Sequence, residues 1–246
     1  RNNLQFVEHN VQEKLNDETI SVTFNIFESE KILIERIDVL GNNITDEAVI
    51  RAELLVDEGD PFTRLGLEKS VSELKARNIF KTVSYEVVDG SKENLKKIKI
   101  NVEEKPTGEI SAGAGVGTNG GSFALSIKEN NYLGEGKEVG LNLEVDKESV
   151  AGTFSYSNPN YDFLGNSINY AVSSQRNDKS SLGYENSVQA FDISTSFEQF
   201  ENTFTSLGIS TSYDDLQTDN TASTNLKKQH GTFFDLSGKY GIKKDN

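Results

Sequence analysis

Residues 106–117 read PTGEISAGAGVG, and the character of the chain changes at this point. Before Pro106, strand-like runs are interspersed with amphipathic helical patterns. After it, apolar residues alternate with Gly, Ser, Asn and acidic residues to the end of the chain. Four of the 20 glycines lie before Pro106 and 16 after it. Because period-two alternation is typical of strands with one apolar and one polar face, this stretch predicts a small mixed domain joined to a long antiparallel sheet.

Residues 30–106 are predicted to form a complete α+β domain with the order β-α-α-β-β. A strand is expected over Lys31–Val39, and Thr45 is predicted to be the N-cap of the first helix, with acidic residues following it. The second helix is expected from about Thr63 to Arg77. Its apolar face (Leu67, Val71, Leu74) should pack with Ile34 and Ile37. The last two strands are predicted at Phe80–Val88 and Leu95–Glu104.

Residues 1–29 contain two further strand-like runs, Leu4–Val11 and Thr19–Phe27. Two strands without helices suggest the tail of a preceding domain. The chain opens without methionine, and Lys243–Asn246 looks like a hairpin turn without its second strand. We therefore interpret the sequence as an internal fragment of a longer protein.

Residues 107–246 are predicted to form about eight antiparallel strands, each near the ~10 residues that a tilted membrane strand needs. Short turns such as residues 119–121 and longer polar segments at residues 176–186 and 214–229 suggest the two unlike ends of an outer-membrane barrel. A soluble β-sandwich, whose strands also alternate, is the competing interpretation. The third strand shows the two faces best: Val139, Leu141, Leu143 and Val145 should face lipid, whereas Glu138, Asn142 and Glu144 should face the lumen.

Composition excludes several classes of function. A net charge of -14 is unsuitable for nucleic acid, whose phosphates require a basic surface. No cysteine is present, so disulfides and thiolate metal sites are excluded, and the two histidines lie in different regions. No run approaches the ~20 apolar residues of a spanning helix. No Ser, His and acid constellation is present, so we expect neither catalysis nor a metal or cofactor.

Two short motifs have simpler explanations than binding sites. Gly115–Gly120 matches G-x-G-x-x-G, but that fingerprint requires a helix after the glycines. Here an alternating run follows, so residues 119–120 are read as a hairpin turn. The acidic stretch Asp57–Asp60 lacks the ligand spacing of a calcium loop, which favours a solvated turn between the two helices.

The sequence resembles the BamA-like outer-membrane-protein assembly factors over most of residues 4–176, through several fairly specific motifs. The motifs in the mixed domain are 34–42 (IERIDVLGN), 58–62 (EGDPF), 74–83 and 102–108 (VEEKPTG); those in the sheet are 113–118 (GAGVGT), 129–136 (ENNYLGEG) and 158–161 (NPNY). The strands beyond residue 176 match only in pattern.

This resemblance implies a domain organisation and a location. Residues 1–29 would be the C-terminal end of a preceding POTRA domain, residues 30–106 a complete POTRA domain, and residues 107–246 the first eight or so strands of a transmembrane β-barrel. The protein would be a non-enzymatic insertase for β-barrel proteins in the outer membrane of a Gram-negative bacterium. Its POTRA portion would lie in the periplasm.

The resemblance also implies partners and the residues that bind them. The partners would be unfolded outer-membrane proteins, accessory outer-membrane lipoproteins and the lipid bilayer. Client strands would add to the POTRA strand through Phe80, Thr82, Val83, Tyr85 and Val87. They would also add to the first barrel strand through Gly108, Ile110, Ala112, Gly113, Gly115 and Gly117, where glycines weaken packing unless they relieve crowding. Glu58 would face an accessory lipoprotein.

Two other functions are compatible with the same pattern. A polypeptide-translocating pore of the two-partner secretion or organelle import type also combines POTRA domains with a barrel. A soluble β-rich binding protein would share the alternation but would need no detergent.

Overall fold

The computed structural model describes residues 7–16, 19–28, 31–117, 120–162 and 164–244. The elements in chain order are β1 (Val7–Asn16), β2 (Thr19–Glu28), β3 (Leu33–Leu40), α1 (Glu47–Arg51), α2 (Arg64–Ala76), β4 (Phe80–Asp89), β5 (Leu95–Glu104), β6 (Gly108–Gly117), β7 (Gly120–Tyr132), β8 (Lys137–Asp146), β9 (Ser149–Asn158), β10 (Ser167–Lys179), β11 (Tyr184–Phe200), β12 (Thr203–Thr218), α3 (Thr224–Lys227) and β13 (Gly231–Lys244), with one turn of 3-10 helix at Ser180–Leu182. The α+β class followed by an all-β portion is confirmed.

Contacts between residues divide the chain into two compact units. The first comprises Arg1–Asn42 and Glu53–Glu104, and the second comprises Asn43–Ala52 and Lys105–Asn246. The sequence predicts a single domain over residues 30–106, whereas the structure groups residues 43–52, which include α1, with the long sheet.

The first unit contains a β1–β2 hairpin and a three-stranded sheet in the order β3-β5-β4. β3 is parallel to β5, and β4 is antiparallel to it. α2 lies against β4. The residues predicted for the core are all buried, namely Ile34, Ile37, Leu67, Val71 and Leu74. Burial of such side chains is the main source of stability in a domain of this size.

The helix ends show where local sequence signals hold and where they fail. The Thr63 side chain accepts a hydrogen bond from the Gly66 N–H and caps α2, which agrees with the predicted start of the second helix. Thr45 is not the cap of α1, because Asp46 occupies that position without a side-chain cap bond. Among the described residues, no helix is long and apolar enough to cross a membrane.

The two outer edges of the three-stranded sheet differ. On the outer side of β3, the Ile34 N–H donates to the Asp60 carbonyl at 2.9 Å. The Ile34 carbonyl accepts from the Gly59 N–H at 2.8 Å. The Phe62 N–H adds a third, to the Ile32 carbonyl at 2.8 Å. The outer edge of β3 is therefore covered. Among the described residues, no strand pairs with the outer edge of β4.

The second unit is an eight-stranded antiparallel sheet in which each strand pairs with its neighbours in sequence, from β6 to β13. The predicted number of strands is confirmed. The pairing register aligns one row across all eight strands that is apolar in seven of them: Ile110, Ile127, Leu141, Phe154, Val172, Phe191, Thr211 and Leu236. The next row, on the opposite face, is mostly polar: Ser111, Ser126, Asn142, Thr153, Ser173, Ala190, Ser212 and Asp235.

The prediction of short turns at one end and long loops at the other is wrong. Because the strands alternate in direction, the β6–β7, β10–β11 and β12–β13 connections all lie at the same end of the sheet. The segments expected to be long polar loops are largely extended strand, with β10 reaching Lys179 and β12 reaching Thr218. Cross-strand ion pairs such as Arg176–Glu185, at 2.6 Å, hold these polar extensions in the ladder.

Candidate functional site: two unpaired strand edges

β6 forms one edge of the long sheet. Every residue from Gly108 to Gly117 is exposed, and β6 pairs with β7 alone among the described residues. Ile110 is 76% exposed and Val116 95% exposed. An unpaired edge presents a row of backbone N–H and C=O groups that can accept another strand. Within the described residues, β6 and β13 are the two edges of this sheet, and β6 is the edge to which the family resemblance assigned client binding.

The glycines of β6 do not relieve crowding at two of the predicted positions. A Cβ placed on Gly113 or Gly117 would meet no heavy atom within 4 Å. A Cβ on Gly115 would approach the Ser122 hydroxyl oxygen at 3.1 Å, and one on Gly108 would approach Glu129 Oε2 at the same distance. Crowding therefore does not require glycine at Gly113 and Gly117, and both positions of the edge strand lack a side chain. This favours the interpretation of a weakly held strand.

The outer edge of β4 is the second candidate site. Of the predicted residues, Thr82 and Tyr85 are at least partly accessible, whereas Phe80 and Val83 are buried in the core. The Lys81 ammonium donates to the Glu103 carboxylate at 2.6 Å, and this hydrogen bond lowers the pKa of Glu103 below its ordinary value. β4 therefore stays paired with β5 on its inner side, while its outer backbone groups remain available to an extended peptide.

The acidic turn at Asp57–Asp60 has a structural role that the sequence did not reveal. Glu58 Oε1 accepts a hydrogen bond from the Ile37 N–H at 3.0 Å, although the residue is exposed. Asp60 Oδ2 accepts from the Asp57 N–H at 2.9 Å. The turn is therefore attached to β3 through the same carboxylate that the sequence analysis assigned to a partner. Solvent exposure leaves the Glu58 side chain accessible as well.

The remaining motifs do not form further sites. Gly115–Gly120 spans the end of β6 and the start of β7, so a strand follows the glycines, as predicted. His230 Nδ1 accepts from the Thr218 N–H at 3.2 Å within the β12–β13 connection, and the side chain of His9 lies outside the described residues. In the described part of the chain, no group of three or more His, Cys, Asp or Glu residues is arranged to hold a metal ion.

One buried polar cluster was not predicted as a site. Asn130 and Asn131 lie near the end of β7 and are buried, as is Thr45. They belong to the second unit, close to the start of β6. In the sequence, the 129–136 motif indicates only a family resemblance. The Asn-Asn pair followed by Tyr-Leu-Gly is the signal that could have identified it, since amides that become buried need specific partners.

Comparison with known proteins gives two family matches. Residues 32–105 match the POTRA family, described as a surface antigen variable number repeat. Residues 131–246 match the Omp85 superfamily domain. Both matches fall where the structure has the α+β fold and the long antiparallel sheet.

Among curated proteins, the chain is 31% identical over 147 residues to a putative outer membrane protein assembly factor of Treponema pallidum, covering 57% of this chain and 17% of that protein. It is 28% identical over 206 residues to the outer membrane protein assembly factor BamA of Neisseria meningitidis, covering 80% and 24%. The chain thus spans about a quarter or less of these relatives.

Among solved structures, BamA of Haemophilus ducreyi lacking POTRA domains 1–3 matches with a TM-score of 0.68 at 22% identity, covering 98% of this chain and 49% of that one. CdiB of Acinetobacter baumannii matches with a TM-score of 0.57 at 14% identity, covering 96% and 46%. Both identities are low enough that these likenesses show a common fold only.

Proposed function

Since the chain is a BamA-like member of the Omp85 superfamily and lies in the outer membrane with its POTRA portion in the periplasm, we propose that it acts in the assembly and insertion of β-barrel proteins into that membrane. Its partners would be unfolded outer-membrane proteins, accessory outer-membrane lipoproteins and the bilayer. The proposed role forms and breaks hydrogen bonds only, so it would require no catalytic residues.

The observation that carries this proposal is the position of β6 on the long sheet. One face of the sheet carries a row that is apolar in seven of the eight strands and is suited to lipid. β6 lies at the edge of that sheet, exposed along its length and poor in packing side chains. A client strand that pairs with β6 satisfies its backbone groups before it meets hydrocarbon, where an unpaired amide costs several kcal/mol. The β4 edge offers an earlier pairing site outside the membrane.

We expect a photo-crosslinking side chain at Ala112, in β6, to capture an unfolded outer-membrane protein during its insertion. The comparison position is Ser173, on the polar face of β10, which is paired with a strand on both sides. Templating on β6 predicts several times more crosslinked client at Ala112 than at Ser173, because β6 is unpaired on one side. The readout is the crosslinked fraction on a denaturing gel, with an already folded client as the negative control.

The same experiment separates the alternative function. In a polypeptide-translocating pore, the passing chain would contact the polar face, so crosslinks at Ser173 would equal or exceed those at Ala112. That result would contradict the assembly proposal. The likeness to CdiB does not favour the pore, because at 14% identity it shows the fold alone.

We further propose that Glu58 contributes to binding an accessory lipoprotein through its negative charge. Glu58→Lys would reverse the charge but would also remove the acceptor of the Ile37 N–H. Glu58→Gln removes the charge and keeps an amide oxygen in the same place, so it is the cleaner variant. We expect Glu58→Gln to weaken co-purification of the lipoprotein several-fold while the thermal unfolding midpoint stays within a few degrees of the parent.

One control variant completes this test. Asp57→Asn removes a neighbouring charge without touching the Glu58–Ile37 hydrogen bond, and its effect on co-purification should be smaller. If Glu58→Gln co-purified as well as the parent at low and moderate salt, Glu58 would be left with its structural role at the β3 edge alone.

A further inference from the structure

A polar cluster in the second unit joins the 43–52 segment to the start of β6. We call it the rim clasp and define it as Thr45, Thr107, Glu129, Asn130, Asn131 and Gly134. Thr45, Asn130 and Asn131 are all less than one-tenth exposed. Buried polar side chains are tolerated only where their hydrogen bonds are satisfied, so the partners of this cluster define what it holds together.

One half of the rim clasp fixes the 43–52 segment. Asn131 Nδ2 donates to Thr45 Oγ1 at 2.9 Å, and Asn131 Oδ1 accepts from the Gly136 N–H at 2.7 Å. The Asp46 N–H donates to the Gly134 carbonyl at 2.9 Å. Gly134 has φ +78°, and a Cβ there would lie 2.1 Å from the Ile44 carbonyl oxygen. Only glycine therefore permits this close approach of two backbones.

The other half fixes the start of β6. The Thr107 hydroxyl donates to Glu129 Oε1, which also accepts from the Asn131 N–H at 2.8 Å. Asn130 donates to the Thr107 carbonyl twice, from its backbone N–H at 3.3 Å and from Nδ2 at 3.1 Å. The register of β7 against β8 shifts between Glu129 and Tyr132. Such a bulge turns Asn130 and Asn131 out of the ladder and makes their groups available to the clasp.

We propose that the rim clasp is a positioning device, which couples attachment of the 43–52 segment to the hold of β7 on the first residues of β6. Asn131 is shared by both halves, since its side chain binds Thr45 and its backbone binds Glu129. Losing the contact with the 43–52 segment releases Asn131, then Glu129, and finally Thr107 at the head of β6. This inference rests on the proposed function, because it states what controls the strand that receives the client.

The test is hydrogen–deuterium exchange of the whole membrane-inserted protein carrying Gly134→Ala. The substitution forces the Ile44 carbonyl away and so opens the first half of the clasp. We expect the amides of residues 108–112 to exchange about tenfold faster, the effect of losing one or two ordinary hydrogen bonds. Amides in the middle of β8 and β9 should be unchanged.

Gly165→Ala is the matched control. Gly165 also lies in a connection at the same end of the sheet and has φ +83°, but a Cβ there would meet nothing within 4 Å. It reproduces the backbone strain of Gly134→Ala without a close backbone contact. We expect it to leave exchange at residues 108–112 at the parent rate.

Thr45→Val is a second variant in case Gly134→Ala does not fold. It keeps the shape of the side chain but removes the oxygen that accepts from Asn131 Nδ2, so it should also speed exchange at residues 108–112. Faster exchange at residues 43–52 with no change at residues 108–112 would overturn the coupling. An equal increase in β8 and β9 would overturn it too, because general loosening needs no clasp.

Client capture at Ala112 distinguishes this inference from the proposed function. If Gly134→Ala speeds exchange at residues 108–112 and alters client crosslinking at Ala112, both the clasp and the proposed function are supported. If exchange rises while no client is captured at Ala112 in any variant, the clasp stands and the role of β6 as a template fails.

Discussion

Leu74→Ala is expected to lower the free energy of unfolding of the excised segment 31–105 by about 2–5 kcal/mol. Leu74 is completely buried on α2, so truncation removes buried methyl groups and leaves a cavity. A domain of this size has a total stability of about 4–11 kcal/mol, so the loss is a large fraction of the whole. Urea denaturation followed by circular dichroism measures it.

Leu65→Ala is the matched control on the same helix. Leu65 is 50% exposed, so the same truncation leaves no internal cavity and should cost less than about 1 kcal/mol. Ile34→Val, expected to cost about 0.5–1.5 kcal/mol, serves if Leu74→Ala is too unstable to measure. Equal losses at Leu65 and Leu74 would contradict the assigned core. If the unsubstituted segment 31–105 showed no cooperative unfolding transition, the predicted domain boundary would be wrong.

The sequence was sufficient to predict most of the fold because its patterns are local. In the long sheet, each strand pairs with the next one along the chain, so alternation within a strand determines which side chains share a face. The third strand illustrates this, since Leu141 and Asn142 lie in opposite rows as predicted. The capped helix at Thr63 follows from a side chain and a backbone amide only three residues apart.

The failures involve partners distant in sequence. Thr45 has the chemistry of an N-cap, but its hydroxyl binds Asn131, 86 residues away. Glu58 reads as a solvated turn residue, yet it accepts a hydrogen bond from Ile37, 21 residues away. The polar extensions of β10 and β12 were also predicted to be loops. Both faces of these extensions are mostly polar, so their sequences lack the alternation of apolar and polar residues that predicts a strand. The local sequence contains no information about contacts between residues so far apart. The polar cluster at the start of β6 is held together by contacts of this kind.

Leu141→Arg should destabilise the membrane-inserted sheet by about 2–4 kcal/mol, the cost of a guanidinium facing the middle of a bilayer. Leu141 is near the centre of β8, and its cross-strand neighbours on the same face are Ile127 and Phe154. No acidic side chain lies directly opposite it to pair with the new charge. The measurement is urea unfolding in phospholipid vesicles.

Asn142→Arg tests the adjacent position on the opposite face. Asn142 accepts a hydrogen bond from the Ser126 hydroxyl at 2.6 Å, so its loss should cost about 0.5–1.5 kcal/mol. The new charge would face water in the lumen and add little. Nitroxide labels at the same positions should divide accordingly, with Leu141 accessible to a lipid-soluble quencher and Asn142 to a water-soluble one. Equal quenching at both positions would mean that the apolar row does not face lipid, since only a sheet between hydrocarbon and water separates two adjacent residues in this way.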